Sequence, residues 1–245
     1  MSLAVVLVEP AGPLNVGSVA RLCANFQVPQ LRLVAPRCDH LGPEARQMAV
    51  HGEALLEQSL IYPDLAAAVA DCQRVVATSG RVETESLPLS SPAEALGWLW
   101  RGASCSPVAA LVFGREDRGL SNAELLQAGR VVRLATSDAY ASLNLSHAVA
   151  ICLHELQACR EQPHPTNAIA DGNSGVLSSR GDLEAALADA EALLLEVGFL
   201  YPHTAAARMA KLRALLQRAQ VQQQEVALLR GMVRQLRWAA QRETP

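Results

Sequence analysis

The run LAVVLV at residues 3–8 places the tightest limit on how this chain can fold. Six consecutive apolar side chains leave neither face of a strand for water, so a strand here must be covered on both sides. Four further runs read as strands: LRLV (31–34), RVVA (74–77), VAALVF (108–113) and VVRL (131–134). Segments of helical spacing fall near 16–26, 43–58, 63–71, 92–100, 121–129 and 144–158. Buried strands alternating with helices predict an α/β fold, with a mostly parallel sheet covered by helices on both faces.

Residues 160–181 (REQPHPTNAIADGNSGVLSSRG) lose this periodicity and read as a linker. Three helical patterns follow: 182–197, stopping at Gly198; 204–219, with Thr204 as N-cap; and 222–241. The expected organisation is a sheet domain at 1–159, a linker at 160–181 and a small all-helical extension at 182–245. Residues 201–245 carry eight basic side chains against Glu225 and Glu243, a charge of +6 on a chain whose net charge is −3. Arg230, Arg234 and Arg237 form a basic stripe opposite an apolar face. A basic tail on an acidic body favours a polyanionic partner, and RNA is the expected one.

No apolar stretch is long enough for a membrane helix, and the N-terminus lacks the basic start of a secretory signal. The six cysteines (Cys23, Cys38, Cys72, Cys105, Cys152, Cys159) show no C-x-x-C pairing and suit reduced thiols in a cytoplasm. His147 and His154, seven residues apart on one helix, are read as ordinary histidines, and no metal is expected.

In an open parallel sheet, ligands bind beyond the carboxyl ends of the strands. Four such ends carry Gly, hydroxyl, amide or charged residues: EPAGPLNVGSVAR after 3–8, TSGR after 74–77, GREDRGLSNAEL after 108–113 and ATSDAYASLNLS after 131–134. Gly12 and Gly17 have P-loop spacing, but Ser-Val follows instead of Gly-Lys-Ser/Thr. No G-x-G-x-x-G follows the first strand, and no serine sits in a G-x-S-x-G elbow. Glu116 and Asp117 are adjacent acids from one loop, a poor arrangement for paired acid/base work.

Three motifs remain, and they occur in a telling order: LNVGSVAR (14–21), LVFGREDRGLSNAEL (111–125) and YASLNLSHAVAICLHEL (140–156). In these the chain resembles the SpoU-type branch of the SPOUT methyltransferases, which move a methyl group from S-adenosylmethionine to a ribose 2′-hydroxyl of RNA. The tail beginning LLLEVGFLYPHTAAARMAKLRALLQ is similar to the helical extension of TrmJ-type tRNA methyltransferases. The resemblance implies a tRNA 2′-O-ribose methyltransferase acting in the anticodon loop, at nucleotide 32. It also implies a homodimer and a C-terminal trefoil knot in the sheet domain, against the general expectation that chains do not knot. An rRNA methyltransferase of the same fold, and a non-catalytic RNA-binding protein on this scaffold, are the alternatives.

The resemblance assigns S-adenosylmethionine to Thr78, Ser79, Gly80, Gly114, Leu134, Ser142, Leu143 and Asn144. Small residues at 80 and 114 let backbone approach an adenosine, and the N-terminus of the 144–158 helix offers unpaired N–H donors to polar parts of the ligand. It places Arg21 at the reacting ribose, with Asn15 orienting Arg21 or the ribose, and Glu116 and Ser142 completing that polar shell. A guanidinium does not lose its proton in a protein, so Arg21 is expected to bind phosphate and steady alkoxide charge. The chain departs from the family in TSDAYASLN, where TrmJ-like proteins often carry Asn-Pro, and in TSGR for the commoner TSAR.

Overall fold

The computed structural model describes residues 2–80, 89–100, 108–137, 142–161 and 176–242. Cys105, Arg81 of TSGR, residues 138–141 (the first two residues of the third motif and the two before it) and most of the expected linker (162–175) lie outside the described residues. The chain divides into two compact units, 1–166 and 167–245.

In the first unit the strands are β1 (Ser2–Val8), β2 (Gln30–Val34), β3 (Leu60–Tyr62), β4 (Cys72–Thr78), β5 (Leu89–Ser90), β6 (Val108–Phe113) and β7 (Arg130–Val132). They form one parallel sheet in the order β3-β2-β1-β6-β4-β7-β5. The apolar runs became the five inner strands. The short outer strands β3 and β5 are the two that periodicity does not announce, because an edge strand pairs on one side and needs no continuous apolar run. On β1, Leu3, Val5 and Leu7 join one core while Ala4, Val6 and Val8 join the other, and all are buried. This is why LAVVLV cannot alternate with polar residues.

The helices are α1 (Pro13–Asn25), α2 (Pro43–Ala49), α3 (Glu53–Glu57), α4 (Leu65–Ala68), α5 (Pro92–Trp100), α6 (Asn122–Leu125) and α7 (Leu145–Glu161). One core packs α1, α5 and α7 on the sheet; the other packs α4 and α6. The single helix expected at 43–58 is broken by a 3-10 turn at Val50–Gly52, with Val50 at φ 49°. The break follows from close packing on α1. A Cβ on Gly52 would lie 2.6 Å from the Ala20 carbonyl oxygen, and one on Gly17 would lie 2.1 Å from that of Ala45. Glycine at both positions lets these backbones meet. Leu145, Val149, Cys152, Leu153 and Leu156 of α7 are buried, as their spacing predicts.

The second unit holds α8 (Arg180–Glu196), α9 (Pro202–Ala219) and α10 (Gln223–Arg242) around Leu183, Leu187, Leu200, Met209 and Val226. Ser179 caps α8, accepting from the Asp182 N–H at 3.1 Å, and Gly198 at φ 74° follows its end. Thr204 is not the cap of α9. The helix starts at Pro202, a residue suited to a first turn, and the Thr204 hydroxyl donates to the Tyr201 carbonyl at 3.2 Å.

The basic stripe of α10 is also placed differently from expectation. Arg230 pairs with Asp189 of α8 at 3.5 Å, and Arg237 with Glu196 at 3.7 Å, while Leu228, Met232 and Leu236 are 66%, 53% and 57% exposed. These two arginines lie beside acids of α8, with Arg230 still exposed, and the apolar residues face out. Arg234 stays exposed.

Candidate active site

Three of the four strand-end loops expected to carry chemistry converge on a cleft of about 310 Å³ in the first unit, and the loop after β1 does not line it. After β4 it is lined by Thr78, Ser79 and Gly80; after β6 by residues 113–120; after β7 by Leu134; and at α7 by Ser142, Leu143, Leu145 and Ala148. All the residues expected to hold the cofactor line it except Asn144, which acts from just outside. The Thr78 hydroxyl donates to the Val112 carbonyl at 3.2 Å and the Ser79 N–H to that of Val132 at 3.0 Å, so this turn is fastened to both neighbouring strands.

The loop after β6 contributes the longest stretch of wall. The Gly119 N–H donates to the Arg115 carbonyl at 2.9 Å, and Gly119 sits at φ 68° in the left-handed region that glycine enters freely. A Cβ on Gly114 would lie 2.3 Å from the Gly119 carbonyl carbon. The two glycines of GREDRG therefore let the loop fold tightly upon itself.

Glu116 points from this loop to the start of α1. Its carboxylate accepts from the N–H groups of Ala11 (3.2 Å) and Gly12 (3.1 Å) and from the Asn15 side-chain amide at 3.2 Å. Gly12 has no side chain to cap α1, so a carboxylate from a distant loop does it, where the helix dipole favours negative charge. Asn15 in turn accepts from the Asn144 amide at 3.0 Å. Its partners are thus Glu116 and Asn144, and no hydrogen bond joins it to Arg21.

Asn144 resolves the polar entrance of α7. Its side-chain oxygen accepts from the Ser146 N–H (2.9 Å), the Ser146 hydroxyl (2.7 Å) and the His147 N–H (3.3 Å). Those two backbone donors, expected to serve a ligand, are already satisfied by the cap. One line of side chains, Glu116–Asn15–Asn144, therefore ties together all three sequence motifs. Ser142 stays exposed at the cleft.

Arg21 lies on α1, exposed and outside the cleft lining. Among the described residues it makes neither a hydrogen bond nor an ion pair. Its guanidinium is open to solvent and to any anion that approaches.

Arg115, Glu9 and Glu124 were not singled out by motif or spacing. Arg115 grips Glu124 through both nitrogens of its fork (2.9 and 3.0 Å) and also pairs with Glu9, which Arg118 approaches at 3.3 Å. The Arg115 hydrogen bond holds the Glu9 carboxyl below the usual carboxylate range. Burial pushes Glu124 up, but Arg115 and the Ser121 N–H outweigh it and the net shift is down. The available signal was Ser121-x-x-Glu124, a capping box that the structure forms; nothing local joins it to Glu9.

Among the described residues no group of three His, Cys, Asp or Glu could hold a metal ion, and His147 and His154 both face solvent. Cys23, Cys38, Cys72, Cys152 and Cys159 form no disulfide among the described residues, and burial pushes Cys23 and Cys152 up to about 12. No helix among the described residues is long and apolar enough to cross a membrane.

Residues 2–154 match the SpoU rRNA Methylase family, and residues 181–245 match the C-terminal domain of tRNA methyltransferase TrmJ. A Klebsiella pneumoniae protein named tRNA (cytidine/uridine-2′-O-)-methyltransferase TrmJ is 34% identical over 238 residues, 95% of each chain. A Sodalis glossinidius protein of the same name is 32% identical, covering 100% of this chain and 94% of the relative. The crystal structure of TrmJ from Z. mobilis superposes with a TM-score of 0.84 at 28% identity, covering 97% of this chain and 100% of that one.

Proposed function

This chain belongs to the SpoU rRNA methylase family and ends in a TrmJ-type domain, and from that premise we propose that it methylates a ribose 2′-hydroxyl of tRNA. The observation that carries the proposal is the convergence of the loops after β4, β6 and β7 with the entrance of α7 on one cleft. Its size suits a small-molecule site, where pockets begin at roughly 300 Å³. Its lining suits S-adenosylmethionine: Leu134, Leu143 and Leu145 offer apolar contact to an adenine, and Thr78, Ser79 and Gly80 offer hydroxyls and backbone. Asp117, exposed in the lining, supplies negative charge for a cationic ligand. When bound, S-adenosylmethionine supplies a methyl group activated by its sulfonium.

The chain's own residues do the rest by alignment. Arg21, unpaired and exposed, binds the phosphate beside the target ribose and steadies negative charge as it develops on the 2′-oxygen. The hydroxyl proton passes toward that phosphate, since Arg21 keeps its own. Glu116, Asn15 and Asn144 hold α1 against the cofactor loops, so that the RNA-binding helix and the cleft keep a fixed relation. Ser142 completes the polar shell at the cleft mouth.

The relatives' names point to tRNA as substrate, and their cytidine/uridine designation points to a pyrimidine nucleotide, which we place at position 32 of the anticodon loop. Arg208, Lys211, Arg218, Arg234 and Arg242 of the helical extension supply the charge for RNA. The sheet domain at 1–159, the linker and the extension at 182–245, a homodimer and a trefoil knot in the sheet domain belong to the same reading. Buried thiols favour a reducing compartment.

The test is to incubate the protein with methyl-labelled S-adenosylmethionine and bulk tRNA or rRNA, then map the modified nucleotide. Label at a ribose of the tRNA anticodon loop is expected. Label in rRNA alone, or in neither RNA, overturns the proposal.

A further inference from the structure

We propose that Arg115 is a positioning residue for methyl transfer, setting the loop after β6 and the segment after β1 in the register that shapes the cofactor cleft. The inference rests on reading that cleft as the S-adenosylmethionine site. Arg115 touches three pieces of chain at once. One nitrogen of its fork donates to the Gly119 carbonyl at 3.3 Å and to Glu124 at 2.9 Å; the other donates to Glu124 at 3.0 Å and to Glu9. Its side chain is 10% exposed, and those of Glu124 and Glu9 are 15% and 25% exposed.

What this clamp holds is the wall of the cleft. Gly119 closes the turn that brings the loop back toward Gly114, and Glu124, third residue of α6, completes the capping box with Ser121 where the loop ends. Glu9 lies on the other side, directly after β1, at φ 44°. Three residues further on is Gly12, whose N–H is held by Glu116. Arg115 and Glu116, neighbours in sequence, thus grip the short segment 9–12 at its two ends, one by an ion pair and one by backbone hydrogen bonds. The lead-in to α1, which carries Arg21, and the lining at 114–120 become one piece.

An exposed ion pair contributes little to anything. This one is largely shielded and bidentate, and the planar fork reaches two carboxylates and a carbonyl together. A lysine at this position carries the charge but presents a single point of attachment. Arg115 therefore acts on cofactor affinity through the loop geometry, and its charge alone does not suffice.

The experiment compares full-length wild type, Arg115→Gln, Arg115→Lys and, as a control, Arg32→Lys. Arg32 makes a comparably tight bidentate pair with Asp71 (2.6 and 2.8 Å) on β2, away from the cleft lining. Each protein is titrated calorimetrically with S-adenosylmethionine, melted thermally, and assayed for kcat and for KM toward tRNA. Arg115→Gln is expected to weaken cofactor affinity about tenfold or more and to lower kcat, leaving KM for tRNA within about twofold. Arg115→Lys should fall between Arg115→Gln and wild type. Arg32→Lys should lower the melting temperature with unchanged cofactor affinity. Wild-type cofactor affinity in Arg115→Lys and in any folded Arg115→Gln overturns the role of Arg115. So does a loss of affinity in Arg32→Lys equal to theirs, which marks general destabilisation. Failure of the wild type itself to bind S-adenosylmethionine overturns the reading of the cleft instead.

Discussion

Arg21 and Glu116 fall within two of the three sequence motifs, yet the structure gives them opposite surroundings. Glu116 is spent on the start of α1, with three donors around its carboxylate. Arg21 has no partner among the described residues, and the proposed function gives its charge to the RNA phosphate. Arg21→Ala is therefore expected to cut turnover by about 100-fold or more while cofactor affinity stays at wild type, measured by label transfer and calorimetry on the same preparation. Undiminished turnover would remove Arg21 from the reaction. Glu9 and Glu124 add a pH dependence. Both titrate below their ordinary value near 4.5, so the unfolded chain binds protons that the folded chain does not. The stability they lend is complete above about pH 4.5 and drains as the pH falls through the lower folded values. Arg115→Gln should flatten the acid limb of the stability-versus-pH curve, as read from urea midpoints; an unchanged limb would assign it to other carboxylates.

The elements show where periodicity succeeds and where contact takes over. α7 has the apolar face its spacing predicts, and its entrance divides cleanly between Asn144, which caps, and Ser142 and Leu143, which line the cleft. The spacing at 43–58 continued through Val50–Gly52 as if one helix ran there. The structure breaks it because α1 packs backbone to backbone at Gly17 and Gly52. Gly17→Ala should cost about 1–3 kcal/mol by forcing α1 and α2 apart, visible as a fall in melting temperature; a neutral result would mean the pair can slide at no cost. On α10, the observed faces differ from the expected ones: Leu228, Met232 and Leu236 are exposed, and Arg230 and Arg237 lie beside acids of α8. Asp189 and Glu196 belong to another helix, and no inspection of α10 by itself could show that they stand beside Arg230 and Arg237.

For the whole molecule, the two units carry different parts of the proposed function. The cleft, Arg21 and the Glu116–Asn15–Asn144 line lie in the first; the arginines and lysine of α9 and α10 lie in the second. Removing 182–245 should weaken tRNA binding by tenfold or more and reduce its salt dependence, with cofactor affinity unchanged. Filter binding at two salt concentrations together with calorimetry measures both. Equal tRNA affinity in the shortened protein would reduce the basic extension to a solvated surface.

By itself the sequence determined the inner strands and their two-sided burial, the helical tail, and the loops after β4, β6 and β7 that line the cleft. These follow from properties carried by neighbouring residues: apolar runs, helical spacing, and glycine or hydroxyl residues directly after a strand. Only the tertiary structure decided the edge strands, the break between α2 and α3, the outward face of α10, and the joining of Glu9, Arg115 and Glu124. Each depends on what a residue meets from a distant part of the chain. Glu9 and Arg115 are 106 positions apart, and no local pattern encodes a contact that the folded sheet alone brings within hydrogen-bond distance.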